Sequence, residues 1–507
     1  MFWTRSQAGG AGVPGYRGFE YRSVRGARTA MVHEQGAGFA YGERHLQCTW
    51  YDPAYRPDNL QTVDGEALTI EDPGRWNLSA GPDFLDAVLS VAPQRRRLRG
   101  DVEVHVRPGD WRLHGHARDA RYSNVVAHVT YFPGRLPPAL LPPGAVQVAL
   151  KPFLAGNPLF SFECIDVTAY PYAARQATPA PCARIFKALS PESSTDILEQ
   201  AGRERHEIKA RRTADGIDEK GVDQQFYEDL MYALGYKQNR VPFRRLARLV
   251  PLDRLRQEAG PDPIRGYALL LGVAGLMPKR PAANWDNETR SFVRTLWDVW
   301  WKEQSRWTER ALQPSSWCRS GIRPQNHPVR RLAAAASLFC RDASPAGRLS
   351  ALDTADARQW YARAAEILCF SGAIPYWSRR LSLGGAPAKN DVALLGSRRI
   401  AAIVYNVFLP TVRAVGRKTD HLLPLMPAEE DNSLIRRTAH TLFGPDHNPA
   451  FYRTGLRQQG LLQIFYDFCL NDRDGCRKCR LAAALGKTMP GQLAVDERPP
   501  DAVGIDP

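Results

Sequence analysis

Four of the eleven histidines, His105, His114, His116 and His128, fall between residues 105 and 128, in company with Asp83, Asp101, Glu103, Asp110 and Asp119. Imidazoles and carboxylates are the side chains that ligate divalent ions and move protons near neutral pH. In the segment GDVEVHVR (100–107) the residue types alternate strictly. As a strand it places Val102, Val104 and Val106 on one face and Asp101, Glu103, His105 and Arg107 on the other. Asp83 opens a second apolar stretch, DFLDAVLSV (83–91). If 83–91 and 99–107 are antiparallel neighbours, Asp83 and Glu103 converge within reach of one ion. Their hard oxygens favour Mg²⁺ or Mn²⁺, with His105 as a third catalytic group. The ordinary alternative is a polar sheet face, with Asp83 capping the Gly81–Pro82 turn and Glu103 paired to Arg99 or Arg121.

The order Pro82-Asp83, a spacer, then Glu103-x-His105 on the next strand resembles the PD-(D/E)xK nuclease superfamily. The resemblance implies that Asp83 and Glu103 hold a metal that lowers the pKa of the attacking water. The lysine of that motif falls on His105, and Arg107 or Lys151 is left to supply the fixed positive charge. A second pattern, His114-x-His116 with Asp119, approaches the H-x-H-x-D-H motif of metallo-β-lactamase-like hydrolases. It departs from it because the aspartate follows His116 by three residues and Ala120 comes next. The leading expectation is a divalent-metal-dependent nuclease-like protein acting on or binding nucleic acid. One alternative is a non-catalytic nucleic-acid-binding or scaffold protein that keeps a degenerate nuclease fold. The other is a zinc-dependent hydrolase using His114 and His116. Arg107, His114, His116, Arg323 and Arg330 are the candidates for substrate contact.

The cysteines and arginines further along suggest other sites. Cys469, Cys476 and Cys479 form C-x6-C-x2-C, a thiolate grouping suited to zinc or an iron–sulfur cluster if Cys182, or Cys48, completes it. The segment RPQNHPVRR (323–331) reads as the start of a helix capped by Asn326, where arginines and free backbone N–H groups can hold a phosphate or simply make a structural junction. Trp297, Trp300 and Trp301 have the spacing of a helical core stripe. Arg240, Arg244, Arg245 and Arg248 form a basic face, solvated or tracking a nucleic-acid backbone.

The elements that must position these groups follow from patterning. Residues 42–60 read as a short helix and loop, 61–71 as a hairpin around Asp64-Gly65, and 124–132 as a strand with Val125, Ala127, Val129 and Tyr131 on one face. One further strand is expected at 146–151. After a Pro/Ala-rich boundary near 171–181 the pattern becomes helical. A helix starts at Ser190-Pro191-Glu192, and others cover 223–234, 242–258, 263–276, 287–306, 327–341, 355–370, 395–414, 431–442 and 453–469. The expected class is therefore α+β: a disordered tail (1–41), a β-rich nuclease-like domain with a mixed sheet (42–170), an all-α region (182–487) and a disordered tail (488–507).

The whole order of segments also resembles an uncharacterised bacterial family, domain-of-unknown-function family twenty-eight fifty-one. The stretches that carry the likeness include LQTVDGEAL (60–68), NLSAGPDFLDAVL (77–89), GDVEVHVRPGDWRLHGHARDARYSNVVAHVTY (100–131), RERHEIKA (203–210), FYEDLMYALGYKQNRVPFRRLA (226–247), GVAGLM (272–277), IRPQNHPVRRLA (322–333), YNVFLP (405–410) and QGLLQIFYDFC (459–469). That resemblance implies an arrangement and no activity.

Composition sets the frame. The 507 residues exceed one ordinary core. Lys+Arg of 68 against Asp+Glu of 53 gives +15, a surplus that suits polyanions such as nucleic acid. Nine cysteines spread over a large chain fit a reducing, cytoplasmic setting. The longest apolar runs, such as 267–277, are far short of a membrane span.

Overall fold

The computed structural model describes residues 41–470 and 479–487, apart from 78–80, 94–95, 158–159, 163–164, 168–169, 171–179, 237, 321, 343, 370–371, 430–432 and 445–446. The expected N-terminal tail up to residue 40, the expected C-terminal tail, most of the Pro/Ala-rich boundary, and Cys476 lie outside the described residues.

A mixed sheet forms the first part of the chain. Its strands are β1 (Leu68–Asp72), β2 (Arg75–Trp76), β3 (Phe84–Val91), β4 (Arg96–His105), β5 (Val125–Thr130) and β6 (Val146–Ala149). The order is β1-β3-β4-β5-β6, with β2 also on β3. The β3–β4 pair is antiparallel with Phe84 opposite Val102, as the sequence leads one to expect. The β4–β5 and β5–β6 pairs are parallel. The preceding turn closes with Gly65 at φ 84°, a conformation that suits glycine.

Helix α1 (Glu43–Tyr51) covers one face of the sheet. Its Leu46, Cys48 and Trp50 share a core with Val102, Val104, Ala127, Val129 and Val148. Burial pushes the Cys48 thiol up to about 12, so it stays a neutral core group. The opposite face is buried as well, and Asp101, Glu103 and His105 are all enclosed. A parallel β4–β5 connection must cross over the sheet. Here residues 106–124 do so in short helical turns, laying Trp111 and Tyr122 over the polar side of β4. A register irregularity between Asp101 and Val102 separates Val125 from Ala127 and Val129. Val125 packs instead with Trp111, Tyr122, Leu136 and Leu141, a departure from the single face expected for that strand.

The rest is helical: α2 (Pro181–Ala188), α3 (Pro191–Lys220), α4 (Val222–Leu234), α5 (Arg240–Leu249), α6 (Leu252–Ala259), α7 (Pro263–Val273), α8 (Asn287–Trp307), α9 (Pro328–Phe339), α10 (Pro345–Ala351), α11 (Ala357–Glu366), α12 (Ser397–Ile403), α13 (Leu409–Ala414), α14 (Ser433–Phe443), α15 (Gly455–Ile464) and α16 (Arg480–Lys487). The fold is α+β, a mixed sheet followed by a large helical region. Ser190 caps α3 through its side chain, as its sequence signature suggests. The helix expected over 242–258 is two, because Pro251 lacks the N–H that would continue the first. The helices expected over 395–414 and 453–469 each contain a π-helical segment, Val404–Phe408 and Phe465–Cys469. Pro410 follows the first and cannot donate to the carbonyl four residues back.

Helices α3 and α15 cross with almost no space between their backbones. A Cβ at Gly202 would lie 2.2 Å from the carbonyl oxygen of Leu456, and one at Gly460 would lie 2.0 Å from that of Leu198. Two glycines, one on each helix, thus set the separation. Near the chain's end, Phe465 and Leu470 turn away from the helices and complete the core of the sheet. Among the described residues, no helix is long and apolar enough to cross a membrane.

Candidate metal centre

The side chains of β4 and of the crossover behind it meet at one point. Nε2 of His105 lies 3.1 Å from Nδ1 of His114, 3.3 Å from Nε2 of His116 and 3.4 Å from Oε1 of Glu103. Nε2 of His116 is 3.3 Å from the same Glu103 oxygen. In a tetrahedral site with metal–nitrogen bonds of about 2.0–2.1 Å, neighbouring ligand atoms stand about 3.3–3.4 Å apart. The His105–His116, His105–Glu103 and His116–Glu103 separations match that spacing, and ligand nitrogens of the three histidines all lie within 4.8 Å of one another. Which of these ring nitrogens donates and which accepts depends on the tautomers of the three histidines.

The surroundings hold these side chains in place. Nδ1 of His105 is 2.9 Å from Nε2 of His128, which is opposite Glu103 in the parallel register of β5. Burial, and then His116 nearby, lowers the pKa of His128 to about 3, so its ring is neutral and the pair shares a single proton along this contact. With that proton on His105 Nδ1, the His105 Nε2 lone pair faces the cluster. The second oxygen of Glu103 accepts the Asp83 backbone N–H at 3.0 Å. Tyr122 stacks on the His116 ring at 3.8 Å, and Trp111 meets His105, His116 and His128 at 5.2 to 6.4 Å. His105 and His116 are buried, whereas His114 is exposed at the mouth.

Asp83 is next to the cluster and held by the fold. Its Oδ1 accepts from the Gln47 amide at 2.8 Å and its Oδ2 from the Val104 N–H at 2.9 Å. It aims Glu103 through its own N–H and ties α1 to β4. Arg107, two residues beyond His105, lies over the Phe132 ring at 4.8 Å, and Lys151 lies over the same ring at 5.0 Å. Asp83, Glu103, His105, His114 and His116 are thus gathered in one neighbourhood, with Arg107 leading out of it.

The other candidates are elsewhere. Arg330 is fully buried and donates to the carbonyls of Trp377, Arg380, Val392 and Ala393, bracing the 377–393 loop. Arg323 is exposed before α9. The cap of α9 is His327, whose ring accepts from the Val329 N–H, and not Asn326. Pro328 takes the first helical position, and the Asn326 oxygen receives Arg331 instead. Among the described residues, His105, His114 and His116 are the one group of three with ligand atoms close enough for an ion. Cys182, Cys469 and Cys479 are not gathered in that way, and Cys182 donates to the Thr441 carbonyl. Trp300 is core and Trp297 half-buried, while Trp301 is 68% exposed. Arg240, Arg244 and Arg248 face Asp166, Asp229 and Glu228.

Sequence reasoning counted His128 among the clustered histidines without giving it a role, and did not single out Gln47. The signal for His128 was its alternation on β5, usable only once the register with β4 is known. Gln47 had no local signal, because it arrives from a helix 36 residues before Asp83.

Fold and site together define a mixed-sheet domain that carries a histidine-rich cluster, joined to a helical region. The chain belongs to the family described as Protein of unknown function (DUF2851), whose model matches residues 43–423. Neither the curated proteins nor the solved structures gave a match.

Proposed function

We propose that the sheet domain is a metal-dependent hydrolase acting on phosphodiester bonds of nucleic acid. The observation that carries the reading is the convergence of His105, His114 and His116, with ligand nitrogens all within 4.8 Å of one another and Glu103 Oε1 against the first and last of them. Three imidazoles and a carboxylate suit zinc or another borderline divalent ion better than Mg²⁺, which prefers an all-oxygen shell. The reading thus keeps Glu103 and His105 from the nuclease pattern and draws in His114 and His116.

A bound divalent ion would polarise a phosphoryl oxygen and lower the pKa of a water beside it. The residues supply the rest. His105 and His116 hold from the buried side, and exposed His114 leaves an approach for substrate. Glu103 Oε1 stands beside two ring nitrogens, where it either completes the ligand set or takes the proton of an attacking water. His128 keeps His105 oriented, and the Asp83 N–H keeps Glu103 oriented. Arg107 and Lys151 place positive charge beside the strand ends that carry the site. The surplus of basic residues favours a polyanionic substrate.

A second reading, a purely structural metal centre in a nucleic-acid-binding scaffold, draws on the same geometry, because four protein ligands close a tetrahedron. Two measurements separate them. Elemental analysis of the purified protein is expected to give about one zinc-class ion per chain, lost in His105→Ala. Cleavage of mixed nucleic acids with Zn²⁺ or Mn²⁺ is expected in wild type and to fall at least about a hundredfold in Glu103→Gln. Metal bound without cleavage moves the scaffold reading to the front, and a chain that binds no ion removes both.

A further inference from the structure

Three of the stretches that stand out in the sequence, 203–210, 405–410 and 459–469, come together inside the helical region. Arg205, Lys209 and Arg212 lie at i, i+4 and i+7 on α3, so they share one face. Each is held by neutral groups. Arg205 donates to the side-chain oxygens of Gln459 at 2.8 Å and Gln463 at 3.3 Å and lies over Tyr466. Lys209 donates to Asn406 and to Gln459 and lies 5.8 Å from the Tyr405 ring centre. Arg212, exposed, lies over Tyr41 at 5.6 Å. Among the described residues, none of the three has a carboxylate within ion-pair distance. Their neighbours differ: Arg413 is paired with Glu207, Arg457 with Glu199 and Arg248 with Glu228.

The nearby acid is kept off the cations by amides. Glu429 receives the Asn406 and Gln459 side-chain amides, whose oxygens in turn face Lys209. Burial, and then the charge of Arg205, hold the Lys209 ammonium well below the usual lysine range. An anion placed among these cations would relieve that repulsion. The Tyr405 hydroxyl is buried there without a hydrogen-bond partner among the described residues. Asn406 and Tyr405 sit on one π-helical segment and Tyr466 on the other, and such interruptions of regular helix are frequent at binding sites. The contact of Gly202 and Gly460 with the opposing helix brings the Gln459 and Gln463 amides against α3.

We propose that Arg205, Lys209 and Arg212 form a binding site for a phosphate group, distinct from the histidine centre. The phosphate comes either from a nucleic-acid strand or from a small phosphorylated molecule. The planar guanidiniums suit its oxygens, and the ammonium adds a point charge.

The test uses the full chain in chelator, so that it reads binding whether or not the histidine centre takes an ion or cleaves. A fluorescent single-stranded oligonucleotide is titrated by anisotropy over a range of salt, and inorganic phosphate and pyrophosphate are titrated by calorimetry. Arg212→Gln, an exposed position safe for folding, and Arg205→Gln are each expected to weaken binding roughly tenfold and to lower the slope of log K against log salt by about one. Arg413→Gln removes the same charge from a paired position and is expected to leave both unchanged. Oligonucleotide binding lost in these variants supports a strand as the source. Binding of phosphate or pyrophosphate alone, lost in the same variants, supports a small molecule. The proposal is overturned if wild type binds none of the three probes, or if Arg413→Gln weakens binding as much as Arg212→Gln does.

Discussion

Buried polar groups serve opposite ends in the two parts of this molecule. In the helical region, Arg330 is enclosed and surrounded by four carbonyl oxygens, each a proper acceptor for its guanidinium. Burial lowers its pKa to about 10, which still leaves it charged at neutral pH. In the sheet domain, two ring nitrogens and a carboxylate oxygen of His105, His116 and Glu103 are enclosed at 3.3 to 3.4 Å from one another. The first arrangement matches a cation to carbonyl acceptors and reads as architecture. The second gathers atoms of the kind that ligate ions or move protons. Burial alone therefore does not mark a site; the kind of atoms that burial brings together does.

The contrast can be tested by removing each kind of group. Arg330→Met keeps the volume but leaves four carbonyls without their donor. It is expected to lower unfolding free energy by about 3–5 kcal/mol in denaturant titration, and a loss under about 1 kcal/mol would contradict the brace. The glycine contact between α3 and α15 comes next. Gly460→Ala forces a methyl into the Leu198 carbonyl, at an expected cost of about 1–3 kcal/mol by the same measurement.

Acidification probes a third buried group. His206 is fully buried, with one ring nitrogen 2.8 Å from the Thr419 hydroxyl, and burial with Lys209 nearby lowers its pKa to about 4. The unfolded chain takes up the proton near pH 6.5 and the folded chain only near 4. The neutral ring's full contribution is thus present above 6.5 and is lost as pH falls toward 4. About 2 kcal/mol is expected to disappear between pH 7 and pH 5, and His206→Asn should flatten that loss. An unchanged slope in the variant would assign the acid sensitivity elsewhere.

The smallest effect belongs to the histidine centre. His114→Ala, measured in chelator, should change stability by no more than about 0.5 kcal/mol, because the exposed ring contributes little without an ion. A large loss would make His114 structural and end the parallel drawn above.

Much of this was legible in the sequence, and unevenly so. The alternation of 100–107 gave β4 and its partner β3, because a two-residue period needs no knowledge of the rest of the chain. Glu103 and His105 followed directly. The sequence argument paired Glu103 with Asp83; the structure joins them through the Asp83 N–H and gives the Asp83 carboxylate the Gln47 amide and the Val104 N–H as donors. The geometry groups His105 with His114 and His116, the pair the sequence offers as substrate contacts or as the residues of a zinc-dependent hydrolase, and sets Glu103 against His105 and His116. The crossover that brings them back over β4 follows from parallel pairing with β5, and strand direction leaves no mark in one sequence. The helical region was read well in its elements and less well at Pro251, where a single missing N–H divides one expected helix into two.

The completion of the sheet core by Phe465 and Leu470 also bears on the order of synthesis. Strands β1 to β6 leave the ribosome about 300 residues before the side chains that close their hydrophobic face. At about 5–20 residues per second that interval is roughly 15–60 s. Throughout it the nascent sheet domain lacks Phe465 and Leu470, two members of its core. The domain made first is the one finished last, and the burden on chaperones should fall there, well before the final helix is released.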